Sequence, residues 1–146
     1  MATERSASVV WTGDLTSGAG VIGVVGSGSF GPLDVTWAAR SGGLEGDAKK
    51  TSPEELIAAA WAACFAMALS SGLAKGGTPP ETLVTSATVT FQPGDGIVKG
   101  ALTVTGTVPG LEQEAFGTAA KTAKENCPVS KALAGIPDVT LNATLQ

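Results

Sequence analysis

The feature that most constrains this chain is an alanine-rich apolar segment, which predicts one long and largely buried helix. Six of the nine residues from Ala58 to Ala66 are alanine, and none is charged. Ser52 is a favoured N-cap, and Pro53 suits the first helical position. The helix is predicted to run to about Ala74, because glycines and prolines follow at once. A helix that is apolar on nearly all sides must be covered, and its small side chains permit close approach of another helix.

Strand-like segments precede and follow this helix. Predicted strands cover 6–11, 20–25, 33–40, 83–92, 97–108 and 139–145, and predicted helices cover 53–74, 111–125 and a short turn from Cys127 to about Gly135. The alternating strand 33–40 ends at Arg40 on its more polar face, where a flexible glycine-rich loop from Ser41 to Lys50 begins. The order βββ–α–ββ–α–β predicts an α+β fold with mainly antiparallel sheets. The length of 146 residues predicts a single domain, 1–146.

Composition excludes several classes of function. The net charge is −4 and the nine basic residues are scattered, so the chain carries no electrostatic footprint for nucleic acid. No basic amphipathic stretch favours a membrane surface, and the apolar run from Leu56 to Leu69 is short for a bilayer. The N-terminus has no apolar secretion core. These features predict a cytoplasmic protein that binds neither nucleic acid nor membranes.

The side chains available for chemistry are few. The chain has two cysteines, Cys64 and Cys127, and it has neither histidine nor tyrosine. The missing histidines remove the usual general bases and metal ligands, and two distant thiols cannot make a four-thiolate zinc site alone. The sequence therefore indicates no metal site and no cofactor. In a reducing cytosol, a lone cysteine pair is more often catalytic or redox-sensing than structural.

Each candidate residue also has a simpler interpretation. Cys64 alone would be typical of a small core hydrophobe, and Cys127 beside a proline could be an ordinary N-cap. Arg40 alone could be a solvated strand end, and Glu54 an ordinary acid in the first helical turn. The segment Gly18–Gly23 matches a dinucleotide-binding fingerprint as text, but further glycines follow it and no helix is predicted there.

Three segments together make the chain similar to the OsmC/Ohr family, the osmotically inducible and organic hydroperoxide resistance proteins. They are Val10–Asp14, the helix from Thr51 to Leu69 with its PEEL and AACF blocks, and Lys124–Ser130 with its NCPVS block. The chain resembles the OsmC branch over essentially its whole length. The resemblance implies an intertwined homodimer, with two mainly antiparallel sheets around long central helices. It also implies thiol-dependent reduction of organic hydroperoxides and hydrogen peroxide to alcohol or water.

The resemblance implies a role for four residues. Cys64 matches the peroxidatic cysteine and Cys127 the resolving one. Arg40 matches the arginine that activates the attacking thiol, and Glu54 the acid that orients this arginine. The implied reductant is a dithiol of the lipoyl type.

The substrate pocket is the place where the chain departs from the family. OsmC-branch members often carry histidine in the helix at the position that Trp61 occupies here. Trp61 precedes Cys64 by about one turn, so it is predicted to line the same pocket, together with Phe65. This change affects the expected substrate preference more than the chemistry.

The residues constrain the mechanism further. Cys64 lies deep in its helix, so a cation rather than the helix dipole must stabilise its thiolate, and Arg40 is always charged. Glu54 and Cys64 are ten residues apart, which is roughly 15 Å along a helix axis. We therefore expect Glu54 or Arg40 to reach Cys64 from the partner chain. The residues alone leave the two thiol roles reversible, because Cys127 at an N-cap could also have a lowered pKa.

Three functional hypotheses follow. The first is a thiol peroxidase that passes through a Cys64 sulfenate and a Cys64–Cys127 disulfide. The second is a thiol-based redox sensor or small-molecule binding protein on the same fold. The third is a purely structural disulfide, which predicts that reduction lowers stability without exposing a reactive thiol.

Overall fold

The computed structural model describes residues 1–42 and 49–146, and these form two compact units, Met1–Glu54 and Glu55–Gln146. The strands are β1 Val9–Thr12, β2 Ala19–Ile22, β3 Leu33–Val35, β4 Thr82–Gln92, β5 Gly96–Thr107 and β6 Asp138–Leu145, and the helices are α1 Trp37–Ser41, α2 Pro53–Lys75, α3 Gln113–Asn126 and α4 Pro128–Ala132. The predicted α+β class is confirmed. The single domain remains a prediction.

The first unit contains an antiparallel sheet in the order β1–β2–β3. The turn between β1 and β2 is organised by Asp14, whose Oδ1 accepts hydrogen bonds of 2.8 Å from the backbone N–H groups of Thr16 and Ser17. After β3, the Thr51 N–H donates to the Asp34 carbonyl oxygen at 2.9 Å. This bond ties the residues just before α2 to the sheet.

The predicted strand 33–40 is wrong beyond Val35. Its second half forms the helix α1, because Thr36 takes an extended N-cap conformation and its Oγ1 accepts from the Ala39 N–H at 3.2 Å. Arg40 therefore lies in the last turn of a short helix and not at a strand end. In the loop predicted at 41–50, residues 43–48 lie outside the described part of the chain.

The second unit contains a mixed sheet in the order β4–β5–β6. A tight turn joins β4 and β5 as an antiparallel hairpin, whereas β5 and β6 are parallel. Parallel neighbours require a crossover connection, which α3 and α4 provide. Of the four pairings between strands in the described residues, three are antiparallel, so the expectation of mainly antiparallel sheets is confirmed.

The core of the second unit is built on a stripe along α2. Trp61, Phe65, Leu69 and Leu73 are spaced four residues apart, so they share one helix face, and all four are buried. They form one cluster with buried residues of β5, α3 and the following loop: Leu102, Val104, Val108, Phe116, Ala120, Ala123 and Cys127. The stripe fixes the rotation of α2 and thereby the side from which Cys64 projects.

The opposite side of α2 is exposed in the single chain. Met67 is 73% exposed, and Ala59, Ala63 and Ala74 on nearby turns are exposed as well. Only 22% of the most apolar stretch of α2 is buried. By length and composition alone, α2 is the one helix among residues 1–42 and 49–146 that could cross a membrane; core helices of soluble proteins meet the same criterion. The full helix has 23 residues, which is longer than the predicted apolar run.

Candidate active site

The two thiols meet in the second unit. Cys64 lies in the middle of α2 and is half-buried, whereas Cys127 is fully buried at the junction where α3 ends and α4 begins. Both are free thiols, and each shifts the pKa of the other. The fold thus brings together two thiols that are 63 positions apart in sequence.

The surroundings of Cys127 favour its thiolate. Burial alone raises the pKa of Cys127, but the Ser130 N–H, the Cys64 thiol, the Ser130 hydroxyl and the Val129 N–H outweigh it and lower this pKa overall. The Cys127 side chain makes no capping hydrogen bond to α4. The nearby N–H and O–H dipoles are nevertheless enough to favour negative charge on its sulfur.

The surroundings of Cys64 favour its neutral thiol. Burial raises the pKa of Cys64, the Val129 N–H opposes this, and the neighbouring Cys127 raises the pKa further by hydrogen bonding and by charge repulsion. Two thiols in contact do not both ionise readily at neutral pH. Within the second unit, therefore, Cys127 is the better thiolate and Cys64 the hydrogen-bond donor.

Arg40 and Glu54 form the other predicted pair, and both lie in the first unit. The Arg40 Nη2 atom lies 2.9 Å from Glu54 Oε1, and its Nε donates to both carboxylate oxygens at 3.1 and 3.2 Å. The Glu54 side chain is 8% exposed and that of Arg40 is 32% exposed. A carboxylate this buried is stabilised by its charged partner, which it holds in a fixed orientation.

The structure thus brings the four predicted catalytic residues together as two pairs. Arg40 with Glu54 belongs to the first unit, and Cys64 with Cys127 belongs to the second. The helix α2 carries Glu54 in its first turn and Cys64 ten residues later. Ten residues of an α-helix correspond to roughly 15 Å along its axis, which is the separation predicted for Glu54 and Cys64.

Trp61 makes a contact that the sequence did not predict. Its indole Nε1–H donates to the Ser130 Oγ at 2.8 Å, across 69 residues of sequence. The hydroxyl and the backbone N–H of Ser130 also lower the pKa of Cys127. Ser130 belongs to the NCPVS block, but no role was predicted for it from the sequence. Its position three residues after Cys127 is the signal that could have indicated one.

A groove of about 690 Å³ opens beside these residues on the second unit. Its lining comes from α2, α3, α4, β6 and the loop between α4 and β6: Trp61, Lys121, Lys124, Glu125, Ser130, Lys131, Leu133, Ala134, Ile136, Pro137, Val139 and Leu141. The groove therefore has apolar walls with a lysine-rich rim. Phe65 does not line it, because this ring is fully buried in the core.

No group of three or more histidine, cysteine, aspartate or glutamate side chains that could hold a metal ion occurs in the part of the chain that the structure describes. The second unit contributes two sulfurs with nearby N–H and O–H donors, and the first unit contributes an arginine–carboxylate pair. These features define an α+β protein of the two-cysteine thiol class.

Comparisons with known proteins identify the family. The family model described as OsmC-like protein matches residues 46–142. The chain is 36% identical to peroxiredoxin OsmC of Escherichia coli K12, over 100% of this chain and 99% of that protein. The chain belongs to the OsmC-like family, and the predicted resemblance is confirmed.

Solved structures agree with this family. One is an organic hydroperoxide resistance protein OsmC from Legionella pneumophila, with a TM-score of 0.69, 27% identity, and coverage of 95% of this chain and 96% of that one. Another is the organic hydroperoxide resistance protein OhrB of Bacillus subtilis, with a TM-score of 0.60, 27% identity, and coverage of 97% and 98%. The OsmC-like α+β fold that the sequence predicted is confirmed.

Proposed function

We propose that this chain is a thiol-dependent peroxidase that reduces organic hydroperoxides and hydrogen peroxide. The observation that carries the proposal is the contact between Cys64 and Cys127, which are the only two thiols in the sequence. The chain is 36% identical to a peroxiredoxin over its full length and is similar to a hydroperoxide resistance protein, and both relations support a peroxidase-type enzyme. The organic hydroperoxide as preferred substrate is our inference.

In the first step, the Cys64 thiolate attacks one oxygen of the hydroperoxide. A sulfur–oxygen bond forms and the oxygen–oxygen bond breaks, so that the alkoxide leaves and takes a proton to become an alcohol. Hydrogen peroxide gives water in the same way. Cys64 is left as a sulfenic acid, oxidised by two electrons.

In the second step, the Cys127 thiolate attacks the Cys64 sulfenic sulfur. A disulfide forms, the sulfur–oxygen bond breaks, and hydroxide leaves as water after taking a proton. A dithiol then reduces the disulfide by exchange and is itself oxidised to a cyclic disulfide. We propose a lipoyl-type dithiol for this role. The buried position of Cys127, already in contact with Cys64, supports a resolving role for it.

The peroxidatic role of Cys64 needs a positive charge. Burial and Cys127 together raise the pKa of Cys64 in the single chain, so the thiolate must be stabilised by a group outside this pair. We propose Arg40, because Glu54 fixes its guanidinium through hydrogen bonds at 2.9 to 3.2 Å. The same fork would stabilise the charge that develops on the leaving oxygen.

We propose that the working protein is a homodimer in which the Arg40–Glu54 pair of one protomer serves Cys64 of its partner. The exposed apolar face of α2, marked by Met67 and Ala63, supports a second copy as its cover. The distance of roughly 15 Å between Glu54 and Cys64 along α2 favours supply from the partner chain. Two copies of a small-residue helix face can approach closely.

A thiol count tests the peroxidase proposal. Reduced protein is mixed with a slight excess of cumene hydroperoxide, and remaining thiols and released cumyl alcohol are measured over time. We expect two thiols lost and one alcohol formed per chain, and continuous turnover when dihydrolipoamide is added. Alcohol formation no faster than with free cysteine would contradict the proposal.

Single substitutions then assign the roles. In Cys127→Ser, we expect a sulfenate on Cys64 that dimedone traps, and one alcohol per chain without turnover. In Cys64→Ser, we expect no rapid alcohol formation. The reverse pattern, with the sulfenate on Cys127, would exchange the two roles while leaving the peroxidase activity intact.

A redox sensor or binding protein remains the second candidate, and the groove lined by Trp61 is the observation that favours it. A sensor would use the same thiol oxidation but would turn over slowly. Rapid oxidation by one equivalent of peroxide, followed by no turnover with dihydrolipoamide, would support this candidate over the peroxidase.

A further inference from the structure

The Trp61–Ser130 hydrogen bond constrains where the serine proton points. The indole N–H of Trp61 is a donor only, so the Ser130 oxygen is the acceptor in this 2.8 Å contact. The hydroxyl proton must then be directed away from the indole. A hydroxyl that accepts one hydrogen bond is also polarised toward donating another.

The geometry of α4 places the Cys127 sulfur in reach of this hydroxyl. Cys127 occupies the N-cap of α4, and Ser130 is the third residue of the helix that follows. Both the hydroxyl and the backbone N–H of Ser130 lower the pKa of the Cys127 thiol. The Ser130 hydroxyl thus accepts from the Trp61 indole and lies in the same helical turn as the Cys127 sulfur that it influences.

The fold keeps the indole in place. Trp61 is 1% exposed, and its ring lies against Gly100 of β5. A Cβ atom at Gly100 would lie 2.7 Å from two carbons of the indole, so only glycine accommodates the ring there. An indole held between β5 and α4 has little freedom to rotate its N–H away from Ser130.

We propose that Ser130 stabilises the Cys127 thiolate by donating its hydroxyl proton to the sulfur, and that Trp61 is a positioning residue that orients this hydroxyl. This inference rests on the proposed function and adds two residues to it. In the resolving step, the stabilised Cys127 thiolate attacks the Cys64 sulfenic acid: the disulfide bond forms, the sulfur–oxygen bond breaks, and hydroxide leaves as water.

The same contact directs the reducing step. When a dithiol attacks the disulfide, one sulfur is attacked and the other leaves with the electron pair, and the better-stabilised thiolate leaves faster. The Ser130 hydroxyl favours Cys127 as the leaving sulfur. The reductant is thereby directed to Cys64, with which it forms the mixed disulfide.

The first test measures thiolate stability without any peroxide. In the full chain carrying Cys64→Ala, Cys127 is the only thiol, and its ionisation is followed by absorbance at 240 nm during a pH titration. We expect Ser130→Ala in this background to lower the thiolate-to-thiol ratio of Cys127 at a given pH about tenfold, because a hydrogen bond to a charged acceptor is lost. Ser130→Thr retains a hydroxyl and should keep the ratio within about twofold.

The second test shows whether Trp61 acts through Ser130. Trp61→Phe keeps an aromatic ring but removes the N–H donor, and it should change the ratio in the same direction as Ser130→Ala. The double variant should lower the thiolate-to-thiol ratio no further than Ser130→Ala alone, since Trp61 acts through Ser130. Ser71→Ala, which removes an exposed hydroxyl from α2, is the matched control and should leave the titration unchanged.

Two results would overturn the inference: an unchanged titration in Ser130→Ala, or full additivity of the Trp61 and Ser130 effects. Far-ultraviolet circular dichroism and the unfolding midpoint show whether each variant is folded. If Trp61→Phe unfolds, the comparison of Ser130→Ala with Ser130→Thr still tests the role of the Ser130 hydroxyl. Because the titration uses no peroxide, its outcome is independent of the peroxidase assay. Failure of the proposed function is therefore distinguishable from failure of this inference.

Discussion

Arg40 holds the Glu54 carboxylate by both of its oxygens, and Glu54 occupies the first turn of the helix that carries Cys64. The Glu54 carboxylate is almost fully buried, whereas the Arg40 side chain is 32% exposed. A guanidinium held in a fixed orientation by a carboxylate is the arrangement that a thiolate or a peroxide oxygen would need.

Arg40→Lys tests whether the fork matters beyond its charge. We expect the second-order rate constant for cumene hydroperoxide to fall by about 100-fold, because an ammonium cannot hold Glu54 and a reacting oxygen in one plane. Glu54→Gln should reduce the rate less, since Arg40 keeps its charge but loses its orientation. Arg5→Lys is the control, because Arg5 is exposed and donates to the carbonyl oxygen of the adjacent Glu4. Equal rates for Arg40→Lys and wild type would contradict the assignment.

Gly100 gives a prediction about packing. Gly100→Ala would place a methyl group 2.7 Å from the Trp61 ring, and we expect a loss of about 1–3 kcal/mol in the free energy of unfolding from this overpacking. Gly117→Ala in α3 meets no atom within 4 Å and should stabilise the protein by about 0.5–1 kcal/mol. Urea unfolding of both variants measures whether the free energy of unfolding falls or rises in each one. Stabilisation by Gly100→Ala would show that the indole does not occupy this position.

The turn at Asp14 gives a pH-dependent prediction. Hydrogen bonds from the backbone and hydroxyl of Ser17, and then from Thr16, hold the pKa of Asp14 well below its usual range. A lowered folded-state pKa adds stability that is complete above the unfolded pKa of about 3.9 and is lost as the pH falls toward the folded value. Asp14→Asn should therefore lower Tm at pH 7, and the difference should shrink as the pH falls below about 4.

Asp95→Asn, in the turn between β4 and β5, is the control for simply losing a carboxylate from a turn. Thermal unfolding at pH 7, 5, 4 and 3 gives the comparison. A Tm difference for Asp14→Asn that stays constant across this series would mean that the turn gains its stability from shape and not from charge.

Local signals in the sequence located most of the secondary structure. Proline at position 53, the glycine-rich turn before β5 and the Cys127–Pro128 step each set a boundary that the structure reproduces to within a residue or two. The strand predicted at 33–40 failed because alternation alone cannot exclude a helix. A single side-chain hydrogen bond from Thr36 was enough to start α1.

Long-range pairings were less accessible to sequence reasoning. The parallel pairing of β5 with β6 depends on how α3 and α4 pack, and no local signal encodes that. The resemblance named both cysteines and the Arg40–Glu54 pair, but the bond from Trp61 to Ser130 spans 69 residues and required coordinates. The need for glycine at position 100 becomes clear only when the structure places the Trp61 ring beside it.

The exposed face of α2 predicts how the proposed dimer can be disrupted. Met67→Glu places a charge in the centre of this apolar face, and we expect the sedimentation coefficient to fall to that of a monomer, together with loss of peroxidase activity. Thr122→Glu introduces the same charge at an exposed position of α3 and should leave the dimer intact. A fully active Met67→Glu monomer would contradict the dimeric site.

Mixed dimers test whether Arg40 acts on the partner's thiol. Arg40→Ala and Cys64→Ser chains should each be inactive alone, but a hybrid of the two would contain one complete site if Arg40 acts across the interface. Statistical mixing makes half of the dimers hybrids, so we expect about a quarter of wild-type activity per chain. Cys64→Ser mixed with Cys127→Ser is the matched control, because these thiols meet within one chain and no hybrid restores the pair. Native mass spectrometry verifies that hybrids form, and hybrids without activity in the first mixture would place Arg40 on its own chain's thiol.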